Sequence, residues 1–484
     1  MSGVAEPISV RADNARGATS RRRWVLLVTS LAAFMALLDA TIVNIAFPSI
    51  QASFPHISRA WLSWVLNGYN VVFAALLVPA GQLADLIGRR RVLLIGILVF
   101  TVSSLLCAIA PTVELLVAMR VLQAIGAALL VPASLALLLA EFPLNKRIAA
   151  IAMLGTAAAV AAAIGPSVGG LLVHASSWRT VFLVNLPLGV IAFAIGWRVV
   201  REQRDREHGS PPDVLAIVFL AAGVALIALA LGQGHSWGWG DTRIVGSFVA
   251  AVCALGAFAQ RSLRNPASAV ELSLLRIASV RYANAAIVVF AAAFYGKILT
   301  DVLFLTSVWH YSVLTAGAAL TPGPLFTAIF AFPAGRLASR FGVARIAALG
   351  ALVYALGGAW YAFEAGMHAA YVTQWLPGTL LTGAGIALAF PTLTSAAVAA
   401  LPASRYGSGA AVNATARQIG GVLGIAVVIG FAGAPSLAGA HGAFVNAWTF
   451  TAIAAAIAAA IAFLPAITAR RGADRGAGPG ADYA

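Results

Sequence analysis

Charge is what this sequence has least of. Asp, Glu, Lys and Arg make up 10% of its 484 residues, against 61% hydrophobic residues and a mean hydropathy of +0.92. So few charges cannot cover a soluble globule of this length, which excludes a water-soluble fold and makes the chain an integral membrane protein. Cysteine is scarce too. Cys107 and Cys253 both fall inside apolar runs, which gives neither a disulfide framework nor a metal site. No GxxxxGK[ST] loop occurs, which argues against direct ATP drive, and nothing calls for a cofactor. The apolar runs lack the two-residue alternation of a barrel. Lipid offers no partner to an open strand edge, so the runs are helices.

What is there is a succession of fourteen apolar runs between residues 24 and 468, at about 20 residues per crossing. The formal charge of +15 would suggest nucleic acid in a soluble protein, but here the cations sit in short loops between runs. With the N-terminus inside, 25 of the 31 Lys and Arg residues fall in cytoplasmic segments. Residues 1–23 are polar and basic, and the run behind Arg21, Arg22 and Arg23 is too long for a signal-peptide core, so it reads as a retained first helix. The expected location is the inner (cytoplasmic) membrane, with many passes and both termini cytoplasmic.

The loop GQLADLIGRRR, Gly81 to Arg91, returns as GRLASRFGVAR, Gly335 to Arg345, 335 − 81 = 254 residues later. Gly81/Gly335, Leu83/Leu337, Ala84/Ala338, Gly88/Gly342 and Arg91/Arg345 are in register. A second match, Gly126 to Pro143 with Gly385 to Pro402, pairs Pro132 with Pro391 at 391 − 132 = 259. A duplicated half follows. The halves align as 24–200 and 283–469, with 201–282 a linker carrying two inserted helices, 1–23 a cytoplasmic segment and 470–484 a disordered tail. The predicted fold is an all-α integral membrane protein of two six-helix bundles plus two inserted helices.

Several patterns resemble the major facilitator superfamily, in its fourteen-helix drug:proton antiporter branch. Gly81-x-Leu83-Ala84-Asp85-x-x-Gly88-Arg89-Arg90 resembles the loop between its helices 2 and 3. Leu38 to Pro48 resembles the helix 1 signature of the branch, with Phe47 where Leu is more usual. Arg120-Val-Leu-Gln123-Ala-Ile-Gly126 resembles the helix 4 motif, and Gly165-Pro166-Ser167-Val168-Gly169-Gly170 the helix 5 motif associated with antiporters. Trp178 to Pro187 resembles the entry to helix 6, and Asn413 with Arg417-Gln418 the penultimate helix. The resemblance covers essentially the whole chain. It implies a major facilitator fold, a role for Arg120 in proton coupling, and a contact of the Gly81–Arg90 loop that closes the cytoplasmic side.

The residues carry their own argument. Asp39 lies fifteen residues past Trp24, about 22 Å up a helix, where a charge costs roughly 2.5–3.5 kcal/mol. It is either a carboxylate paired for helix packing or a titrating group that moves protons. Arg120 stays charged, so it can pair with a carboxylate but cannot carry the proton, and Gln123 shares its face. Asp301 stands at 301 − 39 = 262 from Asp39, and the two acids are expected to face each other across the pseudo-twofold. Lys297, one turn before Asp301, makes either a self-neutralising structural pair or a recognition group; the resemblance implies an apolar stretch here, so the pair is a departure. Glu114 reads as interfacial. Asn44, Gln123, Lys297, Asp301, Asn413, Arg417 and Gln418 are the candidate cavity residues, with cavity lining and helix–helix hydrogen bonding both open. Tyr69, Phe294, Tyr295, Trp309 and Tyr311 line a cavity or pack at lipid and interfaces. Gly165, Pro166, Gly169 and Gly170 have a mechanical use in close helix packing. Asp85, whose repeat partner is Ser339, is expected to cap a helix end or to pair with an inner arginine of the other bundle.

The predicted function is proton-coupled export of small hydrophobic or cationic drugs by alternating access. Its partners are a small-molecule substrate, protons and lipids, with no protein or nucleic acid. The alternatives are a dedicated exporter of one metabolite or self-made antibiotic, with Lys297 and Asp301 as recognition groups, and a non-transporting receptor or scaffold.

Overall fold

The computed structural model describes residues 8–202, 213–264, 272–399, 401, 406–432 and 440–476. Linker residues 203–212 and tail residues 477–484 lie outside them. Among the described residues the chain forms α1 Ile8–Ser53, α2 Trp64–Ile87, α3 Arg89–Ala108, α4 Val113–Glu141, α5 Leu144–Ala175, α6 Asn185–Val199, α7 Val214–Trp237 and α8 Thr242–Arg264. It continues with α9 Ala278–Ser307, α10 Pro322–Phe341, α11 Val343–Glu364, α12 Leu376–Ala399, α13 Tyr406–Ala432 and α14 Ala440–Gly476. A short helix, Val313–Leu320, leads into α10. Among the described residues thirteen helices are long and apolar enough to cross a membrane, and α5 adds a shorter apolar stretch, Ile164–Ala175. The chain is a multi-pass membrane protein.

Polar side chains start several of these helices where the backbone has spare N–H groups. Thr112 accepts from Leu115 N (3.3 Å) at the start of α4, and Asp213 from Ala216 N (3.1 Å) at the start of α7. Gly88 and Gly342, equivalent in the repeat, turn the chain between α2 and α3 and between α10 and α11 at φ of +117° and +94°. α14 runs on past Arg470 to Gly476. Ala469, Arg470 and Arg471 are strong helix formers, and extending an existing helix needs no new nucleus.

Six helices pack on each side of a seam. α1 lies against α4, α5 and α6, and α3 against α4, while α9 lies against α13 and α14, and α11 against α12 and α14. The repeat is visible in this packing. A Cβ on Gly126 would stand 2.5 Å from Phe100 N, and one on Gly385 2.6 Å from Tyr354 N, so α3 meets α4 as α11 meets α12. The inserted helix α7 covers the seam: its Ala216, Leu220, Val224 and Ala228 share an apolar cluster with Val71 and Ala75 of α2 and Val422 and Ala426 of α13. At the face opposite the N-terminus the bundles meet closely. A Cβ on Gly170 would stand 2.7 Å from Val313 O, Gly317 presses on Pro166 O, and the hydroxyls of Ser167 and Thr321 are hydrogen-bonded.

Candidate functional site

In the first bundle five helices build a site around one carboxylate. Asp39 of α1 accepts from Arg120 Nη1 on Oδ2 (2.6 Å), and on Oδ1 from Gln123 Nε2 (2.9 Å) and Asn185 Nδ2 (3.4 Å). Arg120 and Gln123 lie one turn apart on α4, and Nη1 also donates to Gln123 Oε1 (2.6 Å). Arg120 Nε donates to Val65 O of α2 (3.0 Å), and its guanidinium stands 4.2 Å from the Tyr69 ring centroid. Ser104 of α3 closes the set, accepting from Gln123 Nε2 (3.1 Å) and Asn185 Nδ2 (3.0 Å) and donating to Phe182 O (2.9 Å). The pair is sealed, at 1% side-chain exposure for Arg120 and 0% for Asp39. Two buried charges survive there because nearly every lone pair and proton is matched; removing either partner leaves the other uncompensated.

The second bundle places an acid at the matching point of α9 but supplies its cation differently. Lys297 Nζ donates to Asp301 Oδ2 from the same helix, and Trp448 Nε1 of α14 donates to Oδ1 (3.0 Å). Lys297 Nζ also stands 4.5 Å from the Tyr361 ring centroid. Both charged residues line a cavity of about 210 Å³ between α9, α10, α11 and α12, closed on the other side by Thr41 of α1 and Pro166 of α5. Thr379 and Thr382 of α12 are in its wall. They are the repeat equivalents of Arg120 and Gln123, since 379 − 120 and 382 − 123 are both 259. Around the pair Phe304, Trp375, Tyr361 and Trp448 stack with centroids 4.7–5.9 Å apart in four of their contacts.

The two acids therefore do not face each other across the seam. Asp39 is held by α4 and α6, and Asp301 by α9 and α14, so each is turned into its own bundle. Of the seven polar residues expected at a cavity, Lys297 and Asp301 line this one. Gln123 is in the Asp39 cluster, Asn44 Nδ2 donates to Ala40 O of its own helix (2.7 Å), and Asn413 Nδ2 donates to Asn284 Oδ1 (3.4 Å). Gln418 Oε1 accepts from Tyr295 Oη (3.4 Å), and Arg417 Nε is buried without a hydrogen-bond partner. Of the expected aromatics, Phe294 is in the cavity wall, whereas Tyr69 carries Arg120 and Trp309 Nε1 donates to Gly366 O (2.9 Å). Glu114 is exposed in the first turn of α4, where a negative charge suits the helix N-terminus.

Small residues bring α5 to its partners: Gly165 and Gly169 press on Thr41 and Ile45 of α1, and Gly170 on Val313. Gly81 has open contact, with Pro132 3.7 Å from where its Cβ would be. The loop behind it departs from expectation. Among the described residues Asp85 takes no arginine from the other bundle; it pairs with Arg89 one turn on, at 2.9 Å to Nε and 2.8 Å to Nη2. The fork of Arg89 is already within reach along the chain, so no distant partner is required. Arg90 Nη2 donates to Trp197 O (2.6 Å), and Arg90 N to Glu202 Oε1 (3.2 Å), which ties the loop to the end of α6.

Several groups at the two sites carried no signal on their own. Ser104, Trp448 and Tyr354 are ordinary residues of apolar runs, whereas Asn185 belongs to the Trp178–Pro187 pattern, which gave it no role at this site. The repeat offers a route to the threonines and to Tyr354, because offsets of 254 and 259 map Phe100, Arg120 and Gln123 onto Tyr354, Thr379 and Thr382.

Comparison with known proteins agrees with this architecture. The family profile of the Major Facilitator Superfamily matches residues 29–425. Multidrug resistance protein Stp of Mycobacterium tuberculosis is 36% identical over 410 residues, 83% of this chain and 74% of that protein. The tetracenomycin C resistance and export protein of Streptomyces glaucescens is 32% identical over 87% of this chain and 78% of its own length. The methylenomycin A resistance protein of Streptomyces coelicolor is 33% identical over 88% of both. Among solved structures, a crystal structure of the POT family transporter PepTSo superposes with a TM-score of 0.69 at 16% identity, covering 93% of this chain and 98% of that one, a likeness of fold alone.

Proposed function

The chain belongs to the major facilitator superfamily, in the branch of multidrug and antibiotic exporters, and from that premise we propose that it exports small, partly hydrophobic molecules, antibiotics among them, in exchange for protons. The observation that carries the reading is the Asp39 carboxylate, buried in the membrane interior with a cation that cannot itself titrate. Protonation of Asp39 removes the charge that holds Arg120 and so loosens α1 from α4 and α6. That is the kind of differential contact an exchange cycle needs, since a ligand shifts two states only by its differential affinity for them.

In this reading the two bundles rock about the cavity between α9 to α12 and α1, with the Gly165–Gly170 stretch of α5 as the hinge surface at one face. In the same reading both termini are cytoplasmic and the protein sits in the inner membrane, supported by the Lys and Arg distribution along the sequence. One proton entering with a net charge then contributes roughly 2.3 kcal/mol per 100 mV, which sustains a gradient of about 40-fold at 1.4 kcal/mol per tenfold. The test is substrate efflux from proteoliposomes under an imposed pH gradient. Transport that ignores the pH gradient sinks the coupling. The narrower reading, a dedicated exporter of one metabolite or self-made antibiotic, draws support from the charged pair in the cavity wall.

A further inference from the structure

The inserted pair leaves a gap beside the second bundle. α7 lies against α2 and α13, whereas α8 packs on α7 and on a turn of 3-10 helix, Leu272–Arg276, that leads into α9. Between α8, α9 and α13 a partly open cavity of about 300 Å³ remains, with Leu220, Phe258, Leu275, Val288, Val412 and Ile419 in its wall. The polar residues beside it are committed to the protein. Asn284 Nδ2 donates to Val280 O (2.8 Å) and its Oδ1 accepts from Asn413 (3.4 Å), while Thr415 Oγ1 donates to Ala74 O (3.3 Å). An apolar void with no free hydrogen-bonding group does not hold water. In a bilayer, what fills such a gap between helices is hydrocarbon. Leu220 lies 220 − 214 = 6 residues into α7 and Phe258 264 − 258 = 6 from the end of α8, so the cavity is reached roughly 9 Å below the helix ends, at the depth of an acyl chain.

The mouth of this cavity is cationic. Arg281, in the first turn of α9, lends its aliphatic stem to the wall, and its exposed guanidinium stands 5.2 Å from the Tyr282 ring centroid. Arg264 ends α8 and Arg276 ends the 3-10 turn, both exposed. Arg261 is neutralised by Asp213 at 2.7 Å, but among the described residues Arg264, Arg276 and Arg281 have no carboxylate partner. Three unneutralised guanidiniums thus gather where α8 hands the chain to α9, at the entrance of an apolar slot.

We propose that this cavity is a binding site for an anionic phospholipid, with one acyl chain between α8, α9 and α13 and the phosphate on Arg281, where Arg264 and Arg276 add attraction. A zwitterionic lipid fits the same slot but brings its own ammonium to a face that offers only cations. The lipid fills the space that α8 leaves and fastens the inserted pair to the second bundle. The site stands on the placement of the chain in a bilayer and is independent of what the protein exports.

The test is native mass spectrometry of the detergent-solubilised full-length chain, titrated with phosphatidylglycerol or phosphatidylcholine of identical acyl chains. The first phosphatidylglycerol is expected to bind at least fivefold more tightly than phosphatidylcholine, the weight of about one basic residue near an anionic headgroup. Arg281→Gln, at an exposed position, lowers phosphatidylglycerol affinity about fivefold and leaves phosphatidylcholine unchanged. Ala285→Leu fills the slot from a residue that lines it and is itself exposed, so the fold is kept while both lipids weaken. Arg23→Gln, an exposed arginine of α1, keeps the wild-type preference. Equal affinity of the wild type for both lipids overturns the proposal, as does an Arg281→Gln variant that keeps the preference. Unchanged binding by Ala285→Leu removes the acyl-chain seat. A loss in Arg23→Gln as large as in Arg281→Gln also overturns the site, because the attraction then belongs to the whole basic surface.

Discussion

Asp39 and Asp301 hold matching places in the two halves and are solved differently by the fold. The first takes its cation from another helix, so the Asp39–Arg120 pair joins α1 to α4, and its second oxygen reaches α6 through Asn185. The second takes its cation from its own helix, so the Lys297–Asp301 pair joins nothing across α12, where Thr379 replaces Arg120. A pair between helices is a conformational tie that breaks when its acid is neutralised. A pair along one helix is a local fixture that leaves the facing wall free to form a cavity. Duplication supplied the scaffold, and the position of one cation sets the two sites apart.

The comparison breaks most readily on stability. Arg120→Ala leaves Asp39 buried and unpaired, and is expected to cost roughly 3–5 kcal/mol in thermal or denaturant unfolding of the detergent-solubilised protein. Lys297→Ala leaves Asp301 beside Trp448 and a cavity, and should cost roughly 1–3 kcal/mol. Equal losses would mean that the two acids are buried alike. A control on the scaffold comes next: Gly126→Ala and Gly385→Ala should each cost about 1–3 kcal/mol and by similar amounts, because both push a Cβ into a neighbouring helix backbone. A large difference between them would show that the halves are not packed alike.

Smaller effects follow from the pair that lies along one helix. The double variant Lys297→Ala/Asp301→Ala removes two charges that neutralise each other but leaves Trp448 Nε1 without its acceptor, so stability should fall by about 1–2 kcal/mol while the ranking of exported compounds changes. An unchanged ranking in a susceptibility panel would take recognition away from the second site. The smallest effect belongs to the repeated loop. Asp85 has Arg89, whereas its counterpart Ser339 only donates to Arg336 O (2.8 Å). Asp85→Asn removes a half-exposed pair of up to about 1 kcal/mol and should slow turnover by roughly fivefold at most, with the substrate profile intact. A changed profile at normal turnover would move the loop from cycle to selection.

The sequence made the spans legible because lipid forces each crossing to be a long apolar helix, and it made the duplication legible because glycines such as Gly126 and Gly385 are fixed by helix contact. The charged residues stood out as well, since Asp39, Arg120, Lys297 and Asp301 are costly anywhere in an apolar run. What it did not disclose was who completes each site. Ser104 and Trp448 arrive from helices far away in sequence, and a lone serine or tryptophan in an apolar run has no periodicity that marks its face. Partner choice was hidden for a similar reason: Asp85 had arginines available along the chain and, in principle, across the seam, and the local one won by proximity.

The central claim is that Asp39 couples protons to movement while the second bundle handles the cargo. The direct measurement compares, in proteoliposomes, pH-driven efflux with substrate-for-substrate exchange at equal pH, for the wild type and Asp39→Asn. The account predicts that Asp39→Asn loses pH-driven efflux and keeps exchange, since the cavity is untouched. Full pH-driven efflux by Asp39→Asn would contradict it.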